Sequence, residues 1–147
     1  MTAGPAPRTG RAAGRRLIVA ATAATALILL GWLLWPGGSG ATVLYAGTDR
    51  YAATVSVAEP RVGATDITVT LATRTGAPVG NAAVLVQATM PLMGMATPPI
   101  SATSTGTGRY DASGVPLMIT GPWQLRLTVT GPTGTVEELV VPLTVTG

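Results

Sequence analysis

Two patterns of apolar residues divide the chain. From Leu17 to Trp35 the run LIVAATAATALILLGWLLW carries no charge. As a helix it would extend about 28 Å at about 1.5 Å per residue, close to the roughly 30 Å of a bilayer's hydrocarbon core. From Tyr51 onward apolar residues alternate with polar ones instead. Tyr51, Ala53, Val55 and Val57 are interleaved with Thr54 and Ser56, and Ile67, Val69 and Leu71 with Asp66, Thr68 and Thr70. Val84, Val86 and Ala88 share one face of a strand that leads into Met90. Ile100 with Ala102, and Tyr110 with Ala112, mark two short strands. Trp123 to Val129 and Leu139 to Val145 alternate again. A period of two means one buried and one wet face per strand. Gly and Pro punctuate the series at Glu59-Pro60, Thr75-Gly76-Ala77-Pro78, Gly106-Thr107-Gly108, Gly121-Pro122 and Gly131-Pro132-Thr133-Gly134. The pattern predicts an all-β fold, an Ig-like β-sandwich of about seven strands, preceded by a single N-terminal transmembrane helix.

Flanking residues give this plan an orientation. Residues 1–16 are rich in Gly, Pro, Ala and Arg without apolar periodicity, and are expected to form a disordered basic cytoplasmic tail. Arg15 and Arg16 precede the apolar run, while Trp32 and Trp35 near its end suit an interfacial belt, and Pro36-Gly37-Gly38 stops the helix. Residues 17–35 then read as a signal anchor, 36–47 as a linker, and 48–147 as the β domain. The positive-inside rule puts the C-terminal domain outside the cytoplasm, in a single-pass protein of the cell membrane. A cleaved signal peptide is the rival, with a cut near Ser39-Gly40-Ala41. Its apolar core would be about 7–15 residues, shorter than this one.

Composition narrows the chemistry. The chain has no Cys and no His. Disulfides, thiolate sites, imidazole ligands and Ser-His-Asp triads are therefore absent. The acids are Asp49, Glu59, Asp66, Asp111, Glu137 and Glu138. They are scattered, and the one adjacent pair would point to opposite faces of a strand. No nucleophile–base pair or carboxylate dyad emerges, so the chain does not read as an enzyme. The net charge of +3 is also misleading, because Arg8, Arg11, Arg15 and Arg16 all lie before residue 17. A nucleic-acid binder would carry its basic patch on the folded domain.

One candidate for chemistry remains. Of the five methionines, three fall within Met90-Pro91-Leu92-Met93-Gly94-Met95. Soft thioethers favour Cu(I), whereas the plainer reading is that flexible Met side chains fill an irregular gap at the end of a core. Pro91 and Gly94 would break regular pairing and let the sulfurs converge, and Pro98-Pro99 would stiffen the exit.

The order of motifs also resembles a known family. Gly76-Ala77-Pro78-Val79, the Met90–Met95 loop, Gly108-Arg109-Tyr110 and Gly121-Pro122-Trp123 follow one another as in YtkA-like domains and the related FixH-like proteins of bacterial membranes. The methionine loop followed by Gly-Pro-Trp is the most particular part. Such domains are similar to CopC-like sandwiches and are associated with copper handling and copper-oxidase assembly. The resemblance implies a role in binding or passing copper outside the cytoplasmic membrane. Together with the anchor and the charge distribution, the expectation is a membrane-anchored Cu(I)-binding module that passes copper to or from a membrane protein, without a small-molecule substrate or nucleic acid. It implies Met90, Met93 and Met95 as ligands, with Met118 either a fourth thioether or part of the core. Many copper proteins of this kind keep a His beside the methionines. Its absence here puts a Cu(II) site in doubt. The alternative is a metal-free Ig-like interaction domain, an accessory subunit of a membrane complex.

Overall fold

The computed structural model describes residues 40–147. The basic tail and the span expected at 17–35 lie outside the described residues. Among the described residues no helix is long and apolar enough to cross a membrane. They form ten strands and a single 3-10 turn, arranged as two antiparallel sheets.

The first sheet is ordered β1 (Thr42–Gly47), β2 (Tyr51–Val57), β3 (Gly63–Thr73), β8 (Arg109–Leu117) and β7 (Thr103–Gly106). The second is ordered β10 (Val136–Val145), β9 (Gly121–Thr130), β4 (Ala83–Met90) and β5 (Met95–Ala96). The short β6 (Ile100–Ser101) also pairs with β4. The sequence alternation appears directly in the burial. Val55, Ile67, Val69, Leu71, Val86, Leu125, Leu127 and Val141 have no exposed surface, while their strand neighbours are exposed or half-buried. The inward faces of both sheets build one core. Trp123 is its largest side chain, 1% exposed. Its indole Nε1–H donates to the Ile119 carbonyl at 2.9 Å, so a large apolar ring is buried with its polar atom satisfied.

Ten strands replace the expected seven for local reasons. Thr42–Gly47 was expected within the linker, but it pairs with β2 from Thr42 opposite Val57 to Gly47 opposite Ala52. Its sequence, TVLYAG, places apolar side chains on both faces, which hides the alternation. The sandwich thus begins inside that segment. β7 is TSTG and has no apolar residue to signal it, while β5 and β6 are two residues each. β8 runs on to Leu117 through a bulge where Thr65 pairs with Val115 and Ile67 with Ala112. The Asp66 Oδ1 accepts the Gly114 N–H at 3.1 Å at that bulge.

Two further anchors place β4. Tyr110, 1% exposed, donates its hydroxyl to the Val79 carbonyl at 2.7 Å and accepts the Ala82 N–H at 3.1 Å. The Gly-x-Tyr and Gly-x-Pro-Val pieces therefore meet, and they fix the connection from which β4 departs. β4 then runs the length of the second sheet beside β9 and ends at Met90.

Charges sit on outer faces or in connections. Glu137 pairs with Arg50 at 3.3 Å and accepts the Thr48 hydroxyl, while Glu138 pairs with Arg126 at 3.3 Å. The adjacent glutamates thus have separate partners, as opposite strand faces require. Arg109 faces Asp111 at 3.6 Å, and Asp111 also accepts the Thr105 hydroxyl at 2.9 Å. Burial opposes ionisation of Asp111, but hydrogen bonds from Thr68 and Thr105 and the Arg109 charge outweigh it and hold the carboxyl below its ordinary value.

Candidate metal site at the methionine pole

The four candidate methionines lie at one end of the sandwich, and the chain brings them there by three local devices. The first is the hairpin between β4 and β5. Met90 and Met95 are directly opposed in register. Residues 91–94 close the hairpin as a 3-10 turn in which the Gly94 N–H donates to the Pro91 carbonyl at 3.2 Å. Gly94 has φ of 63°, the left-handed region where a side chain is costly, so glycine suits this corner. Opposed residues of an antiparallel pair share a face, with Cβ atoms about 4.5–5.5 Å apart. Met90 and Met95 are therefore neighbours by construction.

The second device is a clamp on the exit from β5. Thr97 is 2% exposed, one of two buried polar residues among those described. Its hydroxyl accepts the Ala88 N–H at 3.0 Å and lies 3.2 Å from the Ala88 carbonyl. The Thr97 N–H donates to that same carbonyl at 2.9 Å, and Gln87 Nε2 donates to the Thr97 carbonyl at 2.8 Å. These contacts bind the loop to β4 although Pro98 and Pro99 allow no regular pairing.

The third device is the Gly-Pro-Trp piece. Trp123 holds Ile119 through its indole N–H, and so fixes the β8–β9 connection that carries Met118. Gly121 opens β9 with φ of 130°, and a Cβ there would lie 3.3 Å from Met90 Cε. The tip of Met90 thus packs against the start of β9, a few residues from Met118.

The methionines differ sharply in access. Met90 is 2% exposed and belongs to the core. Met95 is half-buried and packs against that core. Met93 on the turn and Met118 on the β8–β9 connection are 63% and 52% exposed. The structure therefore gathers the sequence-derived set at one pole but in two layers, with one thioether inside and the others at or near solvent. Around them stand Leu92, 81% exposed, and Val62; the charged neighbours toward that pole are Glu59, Arg61 and Asp66, all exposed. Among the described residues no three His, Cys, Asp or Glu side chains group together as a metal site. The sequence-derived donor set at this pole, Met90, Met93, Met95 and Met118, is thioether alone. It is neutral and soft, and it fits Cu(I) rather than a hard or borderline cation.

Sequence reasoning missed Thr97 and Gln87. A lone Thr before two prolines carries no pattern, and its role shows only once Ala88 is seen opposite it. The family comparison points the same way as the motifs: a family model described as YtkA-like matches residues 45–128, which contain β2 to β8, the methionine hairpin and most of β9. No curated protein and no solved structure matches the chain.

Proposed function

The chain belongs to the YtkA-like family, and on that premise we propose that it is a membrane-anchored, extracytoplasmic module that binds Cu(I) and passes it to or from a membrane partner. The observation that carries this reading is the gathering of Met90, Met93, Met95 and Met118 at one pole of a chain that has no Cys or His and, besides these four, only Met1 as a thioether. Family membership supports it through the association of such domains with copper handling, and the two-sheet core supports kinship with Ig-like, CopC-type sandwiches. The uncharged run at 17–35 behind an arginine-rich tail supports the anchor and the orientation.

On this reading Met93, Met95 and Met118 offer sulfur from the accessible side and Met90 from beneath. Copper is cargo here. Thioethers are neutral, so they add no anionic charge to hold the ion and need lose no proton to receive it. Such a site suits exchange better than storage. A second reading rests on one observation, the enclosure of Met90 in the core. If all four side chains only fill space, the module is a metal-free interaction domain of a membrane complex.

Titration of the detergent-solubilised chain with Cu(I), against a chromophoric Cu(I) chelator, separates the two. The copper reading expects competition by one equivalent of sites that disappears when Met93, Met95 and Met118 are all replaced by Leu. An inert chain, or competition unchanged by those replacements, rejects it.

A further inference from the structure

The exposed part of the methionine pole is apolar, and the opposite pole is charged. Leu92, Met93, Met118 and Val62 are 81%, 63%, 52% and 47% exposed. Val62 and Met118 flank the last rung of β3 and β8, Gly63 opposite Leu117. Leu92 and Met93 cap the β4–β5 hairpin of the other sheet, and the connection bearing Met118 crosses from one sheet to the other. At the far end, by contrast, Asp49, Arg50, Arg74 and Arg109 are exposed. Among the described residues the charged side chains toward the apolar pole are Glu59, Arg61 and Asp66, all exposed, and the four patch residues themselves are uncharged.

The described chain also enters at the apolar pole. Thr42 opens β1 opposite Val57, the last residue of β2. Trp35, which ends the uncharged run, lies five residues before Gly40. A stretch that short reaches at most about 18 Å when fully extended. A patch of uncharged, flexible side chains near such a tether matches the requirements of an interfacial contact, which buries apolar groups about 5–10 Å into the headgroup boundary.

We propose that the methionine pole docks on the lipid bilayer surface through Leu92, Met93, Val62 and Met118. This rests on the anchored topology of the proposed function, but not on copper binding. Docking removes these four uncharged side chains from water, and it puts the thioethers at the membrane surface, where a membrane-embedded partner would meet them.

The lack of native Cys allows a clean test. Leu92→Cys, Val62→Cys and Thr133→Cys are made separately in the full chain and labelled with an environment-sensitive fluorophore; Thr133 lies in the β9–β10 turn at the far end. Each is reconstituted into phosphatidylcholine vesicles with and without headgroup-nitroxide lipid. Docking predicts blue-shifted emission and several-fold stronger nitroxide quenching for the labels at 92 and 62 than at 133. Equal quenching at all three positions, in a chain that resists alkaline carbonate extraction, overturns the docking and leaves the anchor standing. Weak lipid quenching at 92 and 62 combined with shielding from aqueous iodide overturns it in favour of a second copy on the pole. A chain extracted by carbonate overturns both the anchor and the docking.

Discussion

Met95 stands directly opposite Met90 on the closing rung of a hairpin, yet Met90 is sealed in the core while Met95 is only half covered. The pair divides one cluster into a structural member and accessible members. Replacement by Leu keeps volume and apolarity, and such swaps cost less than about 1.5 kcal/mol even in a core. Truncation does not. Met90→Ala is expected to cost roughly 2–5 kcal/mol in chemical denaturation. Met93→Ala, on an exposed turn, is expected to stay within about 0.5 kcal/mol. Similar losses for the two would contradict the layered arrangement.

The copper reading has its own signature in acid. Thiolate and imidazole sites lose metal as protons compete for the ligand atoms, whereas a thioether has no such proton to take. Cu(I) competition should therefore stay nearly level between about pH 4 and 7. Conversion of the exposed methionines to sulfoxides should abolish it, because the soft sulfur donor is consumed. A collapse of affinity at mildly acidic pH would assign the metal to other ligands.

Trp123 tests both the core and the loop it holds. Trp123→Ala is expected to cost roughly 3–5 kcal/mol. Trp123→Phe keeps most of the apolar bulk but removes the N–H donated to Ile119. Its additional effect should appear as faster hydrogen exchange or greater proteolysis around Met118–Thr120. Full protection of that connection in Trp123→Phe would show that the hydrogen bond does not position it.

Thr97→Val retains shape and removes the hydroxyl that accepts the buried Ala88 N–H. Leaving a buried donor without a partner costs about 1–3 kcal/mol. The loss should be read in a urea midpoint, with a larger drop than for Thr97→Ser, which keeps the hydroxyl. Equal midpoints for Val and Ser would show that the clamp is packing alone.

Asp111 contributes to the acid response of stability. Its carboxyl is held below the ordinary value in the folded state, so its stabilisation is complete above the unfolded value of about 4 and is lost as pH falls through the folded value. With no His in the chain, stability should be level from about pH 5 to 8. Its decline below about pH 4 should be shallower in Asp111→Asn. An unchanged acid limb in that variant would remove Asp111 from the account.

Where side chains alternate cleanly, the sequence revealed the fold. The faces of β2, β3, β4, β9 and β10 were all legible, and so was Trp123 between the sheets. Legibility failed where the signal is not carried by alternation. β1 is apolar on both sides, β7 is polar throughout, and the bulge in β8 depends on the Asp66 carboxylate reaching Gly114. The methionine cluster was equally plain as a motif, but its layering was not. Whether a thioether faces core or solvent depends on the register with β5 and on the close approach of Gly121 to Met90, and both are tertiary relations.

The strand order also dictates when the domain can close. β1, β2 and β3 form a local meander, but β3 completes its pairing only with β8, where Thr68 meets Asp111, and β4 only with β9, where Val84 meets Val129. Leu139, Val141, Leu143 and Val145 complete the core from the last strand. Pairings this distant along the chain carry a large loop-closure cost and place a sandwich among slow folders, on a scale of about milliseconds to seconds. The first half of the domain is thus delivered with an open sheet edge, and its pairings and core are completed only by the strands that follow. Methionines 90, 93 and 95 are in place along the sequence well before the hairpin carrying them has a sheet to join.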